Sequence, residues 1–271
     1  MRIANFSMAA LFGAACLLSS CSDSADTIST NNVPDDIKQQ VLAAGFSTEG
    51  ISRIDDGFLI ENDIYLTASD LANLSSGDRV PVAEQYRTNN LVSGTRTITM
   101  YAAEGGRKGY SPGMIAGLDE AIARYNAMNL RIKFQRVTKS RGANITMSRL
   151  SSRDEQRGVL GSAGFPTNSG DPYNQIKMSG ILESAYGLST DGIATIIAHE
   201  MGHCIGFRHT DYMNRAFSCG SGGNEGSAGV GAVHIPGTPT GPDNNSWMLA
   251  CTDGGNRPFN NNDKTALNYL Y

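Results

Sequence analysis

His199-Glu200-Met201-Gly202-His203-Cys204-Ile205-Gly206-Phe207-Arg208-His209 is the stretch on which the reading of this chain turns. His199 and His203 stand four apart. On a helix such a pair shares one face, with Cβ atoms about 5–6 Å apart, so both rings can reach one ion. Ile193, Ile197, Met201 and Cys204 form a separate apolar stripe that should face a core. Gly206 admits positive φ and should stop the helix. The chain then turns and brings His209 round as a third ligand. Three neutral imidazoles leave an open position on zinc for water, whose pKa falls toward about 7. Glu200, beside the first ligand, is placed to take that proton as general base. Three of the chain's 4 His fall in this stretch. The fourth, His234, reads as a loop residue.

Outward from this stretch, Ser189 or Thr190 caps the helix that carries it. Upstream, the alternation of residues 96–102 predicts a strand. Ser111-Pro112 then reads as an N-cap with Pro at the first helical position. Met114, Ile115, Leu118, Ile122 and Tyr125 keep helical spacing to about Asn129. Strand-like runs follow at 130–137, 143–150, 159–165 and 174–178, the third of them Gly-rich and ended by Pro166 as an edge strand would be. Downstream, residues 216–246 are a Gly-rich loop region, and Ala266, Leu267 and Leu270 mark a short closing helix. The order of elements predicts an α+β fold.

Nearer the start, Ile37, Val41 and Leu42 predict a helix ended by Gly45. Residues 57–67 predict two short strands broken at Asn62-Asp63. This gives a small module at 34–92 ahead of a larger domain at 93–271. Residues 1–20 read as a signal peptide, with Arg2 ahead of the apolar run from Met8 to Leu18. Leu18-Ser19-Ser20-Cys21 resembles a bacterial lipobox, so Cys21 is the expected lipidation site. Residues 21–33 would be the tether, and the chain would be extracytoplasmic, a membrane-anchored lipoprotein or secreted. The run is too short for a comfortable membrane span. Of the remaining cysteines, Cys204 belongs to a helix face and should stay free. Cys219 and Cys251 lie in Gly-rich loops and could form a disulfide there. Net charge is -4, with no basic excess that would suggest a nucleic-acid partner.

The zinc-binding stretch matches the signature of the metzincin metalloproteases at each fixed position. Ser246-Trp247-Met248-Leu249-Ala250 resembles their Met-turn, with Met248 as a packed floor under the histidines. Over roughly residues 93–271 the chain resembles the bacterial dual-action HEIGH metallopeptidases, which are related in pattern to astacins and pappalysins. The resemblance implies a metzincin-like catalytic domain: a twisted, mainly parallel sheet with an antiparallel edge strand, a backing helix, an active-site helix, the Met-turn and a C-terminal helix. It implies one catalytic zinc on His199, His203 and His209, with Glu200 as base, in an endopeptidase of protein or peptide substrates. Substrates would add as a strand along the edge at 159–165. A zinc amidase acting on cell-wall peptides, or a surface binding protein on a dormant protease fold, are the alternative readings. Ala250 stands where astacins carry a zinc-binding Tyr, so that switch is absent. Asp211 is near enough in sequence to orient a ligand His, or to cap its own loop. Ile60-Glu61-Asn62-Asp63 partly resembles the motif by which astacin pro-segments place an Asp on zinc. Asp63 is therefore the expected latency ligand, and 34–92 the expected inhibitory pro-segment. Calcium is unsupported: Asp171, Glu225, Asp243 and Asp253 show no recognised ligand spacing and read as solvated acids.

Overall fold

The computed structural model describes residues 33–73, 85–226, 230–239 and 241–271. Residues 1–32, with the expected signal segment and Cys21, lie outside the described residues. The elements run α1 (Asp35–Ala43), β1 (Ser52–Ile54), β2 (Gly57–Ile60), β3 (Ile64–Leu66), α2 (Ala68–Asn73), β4 (Tyr86–Arg87), β5 (Arg96–Ala102) and α3 (Pro112–Ala127). They continue with β6 (Ile132–Val137), β7 (Ile145–Arg149), α4 (Ser152–Gln156), β8 (Gly161–Ala163), β9 (Gln175–Met178), α5 (Thr190–Ile205), α6 (Ala216–Cys219), β10 (Val233–His234) and α7 (Asn261–Leu270).

Alternation sets the sheet. Along β5, Ile98, Met100 and Ala102 are buried while their neighbours are not. The same period recurs in β6 and β7. These strands and β9 pair in parallel in the order β9-β7-β5-β6, and β8 lies antiparallel on β9. This is the mainly parallel sheet with an antiparallel strand that the metzincin resemblance implies. α3 and α5 back it. Ser111 caps α3 by accepting from Met114 N, with Pro112 behind it. Ser189 caps α5 by accepting from Gly192 N. Tyr125 of α3 donates to Ala198 O of α5 at 2.8 Å, joining the two helices inside the main core.

β8 departs from the expectation, because it is not an edge. β3 pairs with it in parallel at Ile64↔Ala163, and β2 and β1 continue the sheet beyond. The edge at 159–165 is thus covered by the chain's own N-terminal hairpin. That hairpin and α1 have a core of their own, built on Val41, Phe46, Phe58, Ile60 and Ile64, which Phe165 and Val230 join from the larger part.

Residues 85–92 belong structurally with the larger part. Thr88 N donates to Gly206 O at 2.8 Å, and Asn89 N to Val230 O at 2.6 Å. Arg208 N donates to Tyr86 O and Ile235 N to Gln85 O, each at 2.9 Å. The buried Gln85 side chain donates to Asp263 at 2.8 Å. The expected boundary near residue 92 falls inside this network, after its first strand. Among the described residues no helix is long and apolar enough to cross a membrane.

Candidate metal centre

α5 ends at Gly206, whose φ of 108° lets the chain leave the helix abruptly. The next residues return beneath the helix, and Thr210 N donates to Met248 O at 2.9 Å. This brings His209 to the face that already carries His199 and His203. Met248 lies under that face, 1% exposed. A Cβ at position 202 would stand 2.6 Å from Met248 Sδ, so the close fit of floor and helix requires Gly202.

His199, His203, His209 and Asp63 converge, with one donor atom of each within 4.8 Å of all the others. Each ring is fixed from behind. His199 Nδ1 faces Trp247 O at 2.9 Å, and His203 Nδ1 faces Phe207 O at 2.8 Å. Carbonyls only accept, so both Nδ1 atoms donate and both Nε2 atoms carry lone pairs toward the centre. Those two Nε2 atoms are 3.0 Å apart. Two inward lone pairs at that distance repel unless a cation stands between them, so this donor set fits a metal ion. Imidazole nitrogens and a carboxylate oxygen are also the ligand types of divalent transition metals.

His209 Nδ1 faces Glu225 Oε1 at 2.7 Å. Glu225 is buried and held by Arg208 at 3.4 Å and Arg215 at 3.0 Å. Burial would raise its carboxyl, but His209 and the two guanidiniums outweigh burial and hold it below the usual range. Burial opposes charge on His209 too, yet the Asp63 and Glu225 carboxylates push that ring well up. The site therefore attracts positive charge. His203 goes the other way: burial brings it down to about 4, a neutral imidazole suited to ligation.

Glu225 carries the role proposed in the sequence for a carboxylate behind a ligand His. Asp211 does not: it accepts from Ala250 N at 2.9 Å and Ser218 Oγ at 2.5 Å, so it caps its own loop. Glu225 is not the solvated loop acid expected from its sequence context: it is 1% exposed. Asp171, Asp243 and Asp253 form no metal-holding group among the described residues. Asp171 pairs with Arg96, and Asp243 accepts from Asn260 and Asn262. His234 lies in β10, paired with β4 and bonded to Thr238, away from the centre.

Asp63 enters from the tip of the β2–β3 hairpin. Its Oδ2 is 2.6 Å from His209 Nε2, 3.2 Å from His199 Nε2 and 3.6 Å from His203 Nε2. Burial works to raise its carboxyl, but the positive charge that His209 can carry beside it holds it well below the usual range. Its backbone carbonyl accepts from Ala163 N of β8 at 3.1 Å.

Glu200 shares with His199 and Asp63 the lining of a cavity of about 650 Å³. Its side chain lies on the β8 backbone: a Cβ at Gly161 would meet Glu200 Oε1 at 2.6 Å. Burial, then the Asp63 carboxylate, push the Glu200 carboxyl well above its ordinary value, and Oε2 has no hydrogen-bond partner. A buried carboxyl of raised pKa beside a metal centre is equipped to exchange protons. Cys219 and Cys251 are joined by a disulfide that ties α6 to the segment after Met248, and Cys204 is buried and free.

A helix that presents two histidines and a carboxyl, a third histidine after a glycine stop and a methionine floor define a metal-dependent peptidase centre. The family model described as dual-action HEIGH metallopeptidase matches residues 58–271, and the chain belongs to that family. Among solved structures, myroilysin is similar at 14% identity, over 74% of this chain and 95% of that one, with TM-score 0.39. The GM1-bound form of the ECX AB5 holotoxin is similar at 15% identity, over 67% and 81%, with TM-score 0.37. No curated protein matches the chain.

Proposed function

We propose that this chain is a zinc endopeptidase that its own N-terminal hairpin holds latent. The observation that carries the first part is the convergence of three inward-facing Nε2 atoms beside Glu200. His199, His203 and His209 hold the ion, and Trp247 O, Phe207 O and Glu225 hold the rings. Zinc in that place supplies Lewis-acid polarisation and activation of water at neutral pH. Glu200 takes up a proton at its carboxylate and returns it to the leaving amine nitrogen. The backbone of β8 offers hydrogen bonds to an extended peptide, as Ala163 N already does to Asp63 O. Digestion of a peptide library with and without a chelator tests this reading. Internal cleavage that chelation abolishes and zinc restores is expected. Cleavage that persists without metal would count against it.

Two observations support latency. Asp63 holds the place next to all three rings, and β3 occupies the strand site on β8. The covering part ends before Gln85, because residues 85–92 are bonded into the body. The lipobox-like Leu18-Ser19-Ser20-Cys21 supports anchoring of the product through Cys21. Mass spectrometry should find acyl mass on that residue; a soluble product beginning elsewhere would refute it.

A further inference from the structure

Glu61 stands at the hairpin tip, two residues before Asp63. It and Asn62 take left-handed φ values of 55° and 68°, a region that residues with a Cβ seldom hold. The turn carries the Glu61 side chain inward, to 1% exposure. Oε1 accepts from Ser47 N at 3.1 Å. Oε2 has no hydrogen bond, and it lies 3.7 Å from Arg208 Nη2. The Glu61 backbone carbonyl accepts from Arg215 Nη1. The Arg208 guanidinium lies among the rings of Phe46, Phe165 and Tyr212.

Glu61 and Phe46 belong to the covering segment, whereas Arg208, Arg215, Phe165 and Tyr212 belong to the body. One carboxylate and one peptide carbonyl of the cover are therefore read by two arginines of the body, beside the metal centre. Glu61 is poorly served there. Its Oε2 is buried without a hydrogen bond, which is destabilising. An apolar side chain would fill the same space at less cost. The cationic lining is better understood through a ligand that takes Glu61's place.

We propose that Arg208 and Arg215 form a subsite for an acidic substrate side chain, which Glu61 occupies in the latent chain. The inference rests on the peptidase reading above and adds a substrate class to it. Arg215 holds a substrate carbonyl as it holds that of Glu61, and Arg208 faces the carboxylate. The subsite lies toward Phe165, which packs on His203 at 5.5 Å between ring centres. Gly161, at the other end of β8, packs on Glu200. The acidic residue is thus read at one fixed position, on the Phe165 side of the bond that is cut.

The test uses the full chain, zinc-loaded and activated by limited proteolysis, on a peptide library with cut sites read by mass spectrometry. Glu and Asp should be enriched at one position relative to the bond cut. A matched pair of peptides with Glu or Gln there should differ about tenfold in kcat/KM, chiefly in KM. Arg208→Gln, which removes the guanidinium that faces the Glu61 carboxylate, should bring that ratio toward one. The ratio is taken within one preparation, so a loss of folded enzyme does not move it. Cleavage with no acidic preference, or a ratio that Arg208→Gln leaves unchanged, overturns the subsite and leaves the peptidase reading standing. Absence of any cleavage overturns the peptidase reading and the subsite with it.

Discussion

Glu225 accepts from His209 at 2.7 Å and is itself held by two arginines, so the third histidine is oriented by a buried charge network. Glu225→Gln keeps shape and acceptor but removes the charge. It should weaken zinc binding by about 10–100-fold, read by competition with a chromophoric chelator; unchanged affinity would leave Glu225 a packing role only. Glu200→Ala should keep full zinc and lose at least about 100-fold in cleavage rate. Near wild-type activity in that variant would remove Glu200 from the mechanism. The three histidines and Glu200 were legible in the sequence because helical spacing and one glycine stop fix their relations. Glu225 was not. It reaches His209 from 16 positions further along the chain, beyond α6, with no period to announce it, while the nearer Asp211 turns to Ala250 N and Ser218.

Strands and long helices were legible element by element, since burial on one face writes an alternation or a 3.6-residue period into the sequence. The predicted helix at 112–129 and strand at 96–102 correspond to α3 and β5. Short elements such as α4, α6, β1 and β10 escaped because a few residues carry no period. The pairing of β3 with β8 was also hidden. It joins Ile64 to Ala163 through a single parallel register, far apart in the chain. That neighbourhood makes β8 sensitive to one methyl group. Gly161→Ala would place Cβ 2.6 Å from Glu200 Oε1. Glu200 must then move, and activity should fall by roughly 10-fold or more at unchanged zinc content. Full activity in Gly161→Ala would show that Glu200 works from another position.

At the scale of the molecule, a small hairpin module with its own core lies over a larger body, and residues 85–92 stay with that body. A chain beginning at Gln85 should therefore keep its folded stability, whereas one beginning at Ser93 should not. The second loses at least the four backbone hydrogen bonds of Gln85, Tyr86, Thr88 and Asn89, and with them the pairing of β4 with β10. At about 1 kcal/mol each, with the burial of Tyr86 and Val92 in addition, this is a large part of the roughly 5–15 kcal/mol that holds a domain folded. Thermal unfolding of the two truncations would decide it; equal melting temperatures would contradict the assignment. The sequence could not place this boundary, because the polar residues before Ser93 carry little apolar pattern and their partners lie more than a hundred positions on.

The central claim is that zinc sits among His199, His203 and His209 and that Asp63 closes the site. The direct measurement is zinc content together with casein hydrolysis, for the uncleaved full chain and its Asp63→Ala variant. One zinc per chain is expected in both, with low activity in the first, higher activity in the second, and loss of both activities on chelation. Equal activity in the two proteins would remove Asp63 from latency, and a chain that cleaves casein without zinc would contradict the metal centre itself.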